Sequence, residues 1–126
     1  MPVDFEIDVE DRLLIISVSG EVCAADLLAA KARVATLPGY EPDFDRLVDA
    51  RRLTSLLDLS AGEVRKLAAT SRAAPEARWV IVLGRNSPYH YGMSRMYQLQ
   101  RTASCPESPV MICETIREAL GILKRD

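Results

Sequence analysis

Residues 77–83 read Ala77-Arg78-Trp79-Val80-Ile81-Val82-Leu83, an apolar run of strand length rich in β-branched residues. Such a run fits a central strand buried on both faces of a parallel sheet. The next residues fix its setting. Gly84 to Asn86 form a turn, and Ser87-Pro88 set an N-cap residue before proline at the first helical position. A helix is predicted from there through about Thr102, with Met93, Met96, Tyr97 and Gln100 along one stripe.

The pattern repeats on both sides. Downstream, Pro106 to Pro109 break the chain, Val110 to Cys113 read as a last strand, and Thr115-Ile116-Arg117-Glu118 match a capping box. The final helix turns Ile116, Leu120 and Leu123 inward. Upstream, Ser60-Ala61-Gly62-Glu63 form another capping box, opening a helix through about Arg72 that buries Val64, Leu67 and Ala68 and is punctuated by Pro75. Arg46 to Arg51 (RLVDAR) read as a short strand. Ala24 to Thr36 read as a helix with Ala24, Leu27, Leu28, Lys31 and Val34 at helical spacing, stopped by Pro38-Gly39. Near the N-terminus, Val3, Phe5, Ile7 and Val9 alternate with Asp4, Glu6, Asp8 and Glu10, the period of a strand with one wet face. Arg12 to Ser19 (RLLIISVS) come after a tight turn, and Gly20 is expected to end that strand; the two form an antiparallel hairpin. The order β-β-α-β-α-β-α-β-α predicts an α/β domain: a mostly parallel five-stranded sheet, right-handed crossovers and four helices.

With 126 residues, 48% hydrophobic and 27% charged, the chain suits one core and a single domain spanning residues 1–126. A net charge of −2 and scattered basic residues give no nucleic-acid footprint. Cys23, Cys105 and Cys113 are odd in number and form no CxxC or Cys/His ligand spacing. Met1-Pro2-Val3-Asp4 lacks a basic, then apolar, leader, and no apolar run approaches the roughly 20 residues of a membrane span. The expectation is a cytoplasmic protein without cofactor or metal.

Several segments carry a resemblance. A strand ending in Gly20-Glu21-Val22 leads into Ala24-Ala25-Asp26-Leu27-Leu28. Leu47-Val48-Asp49-Ala50-Arg51 stand on the next strand, and Leu57-Asp58-Leu59-Ser60-Ala61 open a helix. Tyr91-Gly92-Met93-Ser94-Arg95-Met96-Tyr97 sit in the third helix. In topology and hydrophobic pattern the chain resembles the bacterial SpoIIAA-like (STAS) superfamily over nearly its whole length. The resemblance implies that fold and, for the best-known members, an anti-anti-sigma role switched by phosphorylation of a serine or threonine directly after an aspartate. Here Leu59 follows Asp58, so the resemblance is to a divergent, stand-alone member without the acceptor; Ser60, the nearest hydroxyl, reads as a helix cap.

Candidate chemistry gathers at the carboxyl ends of the strands, where open parallel sheets bind ligands and helix N-termini favour anions. Arg51 and Arg52 after the third strand, Arg85, Asn86 and Ser87 after the fourth, and Cys23 after the second are the candidate ligand residues, beside Glu21, Glu114 and Thr115. The bland reading is that these groups cap helices and pair with Asp49, Asp58 and Glu114. Cys23 stands at a helix N-cap, where a thiol can gain nucleophilicity. Ser87 and His90, three apart at a helix start, suit a cap contact better than a catalytic pair. Tyr89, Tyr91, Met93, Met96 and Tyr97 form an aromatic and methionine stripe wider than one buried face needs, expected to serve a homodimer or partner interface. The expected role is a non-catalytic regulatory or binding module, acting through protein contacts or a small anionic ligand. The alternative is a small-molecule enzyme or thiol redox sensor using Cys23. A subunit with a purely structural role is a third possibility.

Overall fold

A computed structural model describes residues 3–41, 43–57, 60–70, 77–83, 88–104 and 110–123. The N-terminal alternation pairs β1 (Val3–Asp8) antiparallel with β2 (Leu13–Cys23), Val3 opposite Val18 and Asp8 opposite Leu13. Arg12 makes the turn in the left-handed region, at φ +52°. Its guanidinium pairs with Glu41 at 3.0 Å and with Asp43, tying the hairpin to the loop before the next strand.

From β2 onward the chain alternates: α1 (Ala24–Val34), β3 (Asp45–Leu57), α2 (Ala61–Thr70), β4 (Trp79–Val82), α3 (Pro88–Ser104), β5 (Val110–Cys113) and α4 (Ile116–Ile122). The five strands form one sheet in sequence order, β2 to β5 parallel. Ile16, Val48, Ile81 and Ile112 stand in one row across it, and Ile15, Leu47, Val80 and Met111 in the adjacent row on the opposite face.

Strand order decides where the helices go. Three crossovers that advance the same way across a sheet, with the same hand, place their helices on one face. Leu27 of α1 and Tyr97 of α3 accordingly pack on the row containing Ile16, Val48 and Ile81, and Val64 of α2 is buried on that side. Helix α4, after β5, covers the other face, where Ala119 and Leu123 meet Leu47, Val80, Val82 and Cys113. Asp45, only 6% exposed, clamps this layer: its carboxylate accepts from the Arg78 backbone N–H at 2.8 Å and from Arg78 Nη2 at 3.1 Å. Arg78 Nη2 also donates to the Leu123 carbonyl at 3.0 Å.

Two expected boundaries are corrected. Gly20 does not end β2, and Arg51 does not end β3. The strands run on together to Cys23 opposite Leu57, past the end of β4, which stops opposite Asp49. Gly20 takes φ +69°, and register shifts flank it between Ser17 and Ser19 and between Gly20 and Glu21. A glycine at positive φ re-aims a strand at a bulge without ending it. The extension persists because Val22 (0% exposed) and Leu53 (7%) are buried in the core on the three-helix face. Arg51, Arg52 and Glu21 therefore lie within strands, not after them.

Candidate functional site

Between the sheet and α1, α2 and α3 lies a cavity of about 160 Å³. Strand alternation builds its floor: Ile16 and Val18 from β2, Val48 and Ala50 from β3, and Trp79 and Ile81 from β4. Leu27, Lys31 and Val34, at helical spacing on α1, form one wall, and Met93 and Tyr97, four apart on α3, form another.

Two cations stand in this largely apolar surface. Lys31 Nζ donates to Tyr97 Oη at 2.8 Å, bridging α1 and α3. It lies 5.0 Å from the Tyr97 ring centre and 5.3 Å from that of Trp79. Arg46, 5% exposed and beside Trp79 in the β3–β4 register, sets its Cζ 4.1 Å from the same indole centre. Its Nη2 donates to Tyr40 Oη at 2.5 Å. Two cations thus share one aromatic ring, each gaining roughly 0.5–2 kcal/mol from it. Beside them the lining holds the hydroxyls of Ser94 and Tyr97.

The residues expected at the strand ends do not gather here. Arg51 is exposed and on the opposite face, with Nε 2.9 Å from Asp49 Oδ1 and Nη2 3.0 Å from Oδ2. These bonds hold the Asp49 carboxyl below its ordinary range. Arg52 is exposed opposite Ser19. Cys23 lies four residues further along β2 than Ser19, roughly 13 Å at the usual rise per residue. It is the N-cap residue of α1, paired with Asp26: its N–H donates to Asp26 Oδ2 at 3.0 Å and its thiol to the same oxygen at 3.3 Å. Together these donors lower the Asp26 pKa, the backbone bond more than the thiol. Arg85, Asn86 and Ser87 lie outside the described residues, as do Asp58 and Leu59. Ser60 Oγ accepts the Glu63 N–H at 3.2 Å, so its hydroxyl is a helix cap. Cys113 is buried at the end of β5, where loss of water raises its thiol pKa. No group of three or more His, Cys, Asp or Glu suited to a metal ion occurs among the described residues. No helix among them is long and apolar enough to cross a membrane.

The aromatic and methionine stripe divides. Met93 and Tyr97 line the cavity, Met96 is half-buried, and Tyr91 faces solvent, 55% exposed. The side chain of Tyr89 lies outside the described part of the chain. Sequence reasoning missed Lys31 and Arg46 as site residues. The signal was a cation at an apolar position: Lys31 stands in the buried stripe of α1, and Arg46 begins the predicted strand RLVDAR.

No protein-family model and no curated protein matches the chain. Among solved structures it is similar to an uncharacterized protein of the DUF3478 family with a SpoIIAA-like fold from Shewanella loihica PV-4, at 19% identity and a TM-score of 0.59, covering 96% of this chain and 91% of that one. A second match is the Bacillus cell fate determinant SpoIIAA in its phosphorylated form, at 20% identity and a TM-score of 0.49, covering 96% and 98%. The hairpin, the parallel strands in sequence order and the first of these likenesses together establish that the chain has a SpoIIAA-like α/β fold.

Proposed function

We propose that the domain is a non-catalytic binding module of a regulatory kind, and that it holds a small organic ligand in the cavity on its three-helix face. The observation that carries this reading is the 160 Å³ cavity, with apolar walls and two ring-stacked cations beside one indole. An apolar void on the order of 150 Å³ is enough to hold benzene. Ligand sites are mostly apolar, with a few placed polar groups, and this cavity has that composition.

The non-catalytic reading rests on what the side chains already do. The Cys23 thiol donates to Asp26, Ser60 caps α2, and Arg51 is engaged by Asp49. Protein contacts complete the proposal. Tyr91 and Leu99, each 55% exposed, stand eight apart on α3 with exposed Arg95 between them, forming one outward stripe. Tyrosine and arginine are enriched at interfaces.

A thermal-shift screen of the purified chain against small organic acids, amides, alcohols and amines of about six to ten non-hydrogen atoms tests the ligand half. At one hundred times its Kd, a ligand raises stability by about 2.7 kcal/mol, a shift of several degrees for a domain of this size. A panel without any shift defeats the reading.

A further inference from the structure

We infer that the cavity takes an uncharged, mostly hydrocarbon molecule of roughly six to nine non-hydrogen atoms, the size range from benzene to indole. This inference rests on the reading of the cavity as a ligand site, and adds the class of ligand. Size sets the upper bound. A space of about 160 Å³ matches the void that benzene fills in an apolar protein core, and is too small for a nucleotide-sized ligand. The walls set the composition. Ile16 and Leu53 of the sheet, Leu27 and Val34 of α1 and Met93 of α3 surround the space with carbon and one thioether. An oxygen or nitrogen placed against them loses its water and gains little in return. Water is itself a poor occupant of such a space, so an apolar molecule that displaces it is favoured.

The cations of the lining give a second reason for a ligand without charge: both are already engaged. Lys31 Nζ donates to Tyr97 Oη at 2.8 Å and lies 5.3 Å from the Trp79 ring centre. Arg46 Nη2 donates to Tyr40 Oη at 2.5 Å, and its Cζ lies 4.1 Å from the same indole centre. Both residues make further interactions within the protein. An ionic ligand of either sign gives up its hydration on entering, and the groups that could replace that water already have partners. An uncharged ligand leaves those contacts intact. The Lys31–Tyr97 bond between α1 and α3 then persists in the occupied state, and binding proceeds without loosening the helices that form the walls.

Trp79 is the chain's one tryptophan and lines the cavity, so its emission reports on the site. The experiment titrates the full chain with ethylbenzene, benzoate and benzylamine, following Trp79 fluorescence. These carry the same ring with an uncharged, an anionic and, at neutral pH, a cationic side arm. Ethylbenzene binds with a Kd between about 10 μM and 1 mM, the range expected for about eight heavy atoms. Benzoate and benzylamine bind at least about tenfold more weakly. Ala50→Val narrows the cavity floor and weakens ethylbenzene about tenfold; an unchanged affinity places the ligand elsewhere and overturns the inference. Should Ala50→Val fail to fold by circular dichroism, NMR shifts of the Val48 and Leu53 methyls of the natural chain on adding ethylbenzene locate the ligand instead, and their absence overturns the inference. Either ion binding as tightly as ethylbenzene overturns the assignment to uncharged molecules and leaves the cavity a ligand site. Silence of Trp79 toward all three compounds overturns the inference, and the wider thermal-shift panel then decides the cavity reading by itself.

Discussion

Replacing Ala50 by valine adds two carbon atoms to a residue that is 5% exposed and lines the cavity floor. In a filled core the change would force neighbours aside and cost about 1–3 kcal/mol. Beside an open cavity the sign reverses. Each added carbon buried from water contributes about 0.8 kcal/mol, an upper bound near 1.6 for the pair. Imperfect contact with the cavity walls reduces this to about 1 kcal/mol, and valine's strand preference acts in the stabilising direction. Urea unfolding followed by Trp79 emission measures it. With a slope of about 1–3 kcal/mol per molar, typical of small domains, the midpoint rises by roughly 0.3–1 M at unchanged slope. The same variant weakens whatever ligand the natural chain binds, because it fills the site. A midpoint that falls, or stays put while ligand affinity is kept, refutes the reasoning: there would then be no usable space beside Ala50.

Other consequences are open to measurement. Asp45→Ala removes the buried acceptor of two Arg78 bonds; because Arg78 itself is 40% exposed, the loss is held to about 2–3 kcal/mol, read from the urea midpoint, and an unchanged midpoint contradicts the clamp. Thr115→Ala removes the acceptor for the Glu118 N–H at 3.0 Å and costs about 1 kcal/mol by the same assay. Asp26, Asp43 and Asp49 all have lowered pKa values in the fold, from Cys23, Arg12 and Arg51 respectively. A carboxyl whose pKa is lower folded than unfolded contributes stability that is complete above its unfolded value, near 3.9, and is lost as pH falls through its folded value; thermal melts should therefore be flat near neutrality and drop below about pH 4, and a drop beginning near pH 6 would point to another group. Leu99→Lys, on the outer face of α3, should lower any self-association seen by sedimentation while leaving the melting temperature nearly unchanged.

Much of the fold is legible in local chemistry. The ARWVIVL run becomes a strand buried along its whole length from Trp79 to Val82. Pro88 opens α3, and Ser60 and Thr115 cap their helices as their spacing implies. These signals act within a few residues, so sequence displays them. The failures are non-local. Gly20 reads as a terminator because glycine disfavours strands, whereas its positive φ serves a bulge that only the partner strand's register reveals. A β3 that stopped at Arg51 would put Arg51 and Cys23 together on a strand-end rim. The extension sets them apart, and Asp49 engages Arg51 on the α4 face. The cavity escapes local reading for a similar reason. Lys31 lies on α1, Arg46 on β3, Trp79 on β4 and Tyr97 on α3. Their meeting depends on three crossovers covering one face, which comes from strand order and not from any local pattern.

The most direct test is a methyl and indole NMR map of the chain with and without a small organic ligand that the thermal-shift screen identifies. We expect the Leu27, Val48 and Leu53 methyls and the Trp79 indole to shift together at saturation, with Arg51, Arg52 and Cys23 unmoved. Shifts centred on those three residues, with the Val48 methyls and the indole unchanged, would contradict the assignment of the site to the three-helix face.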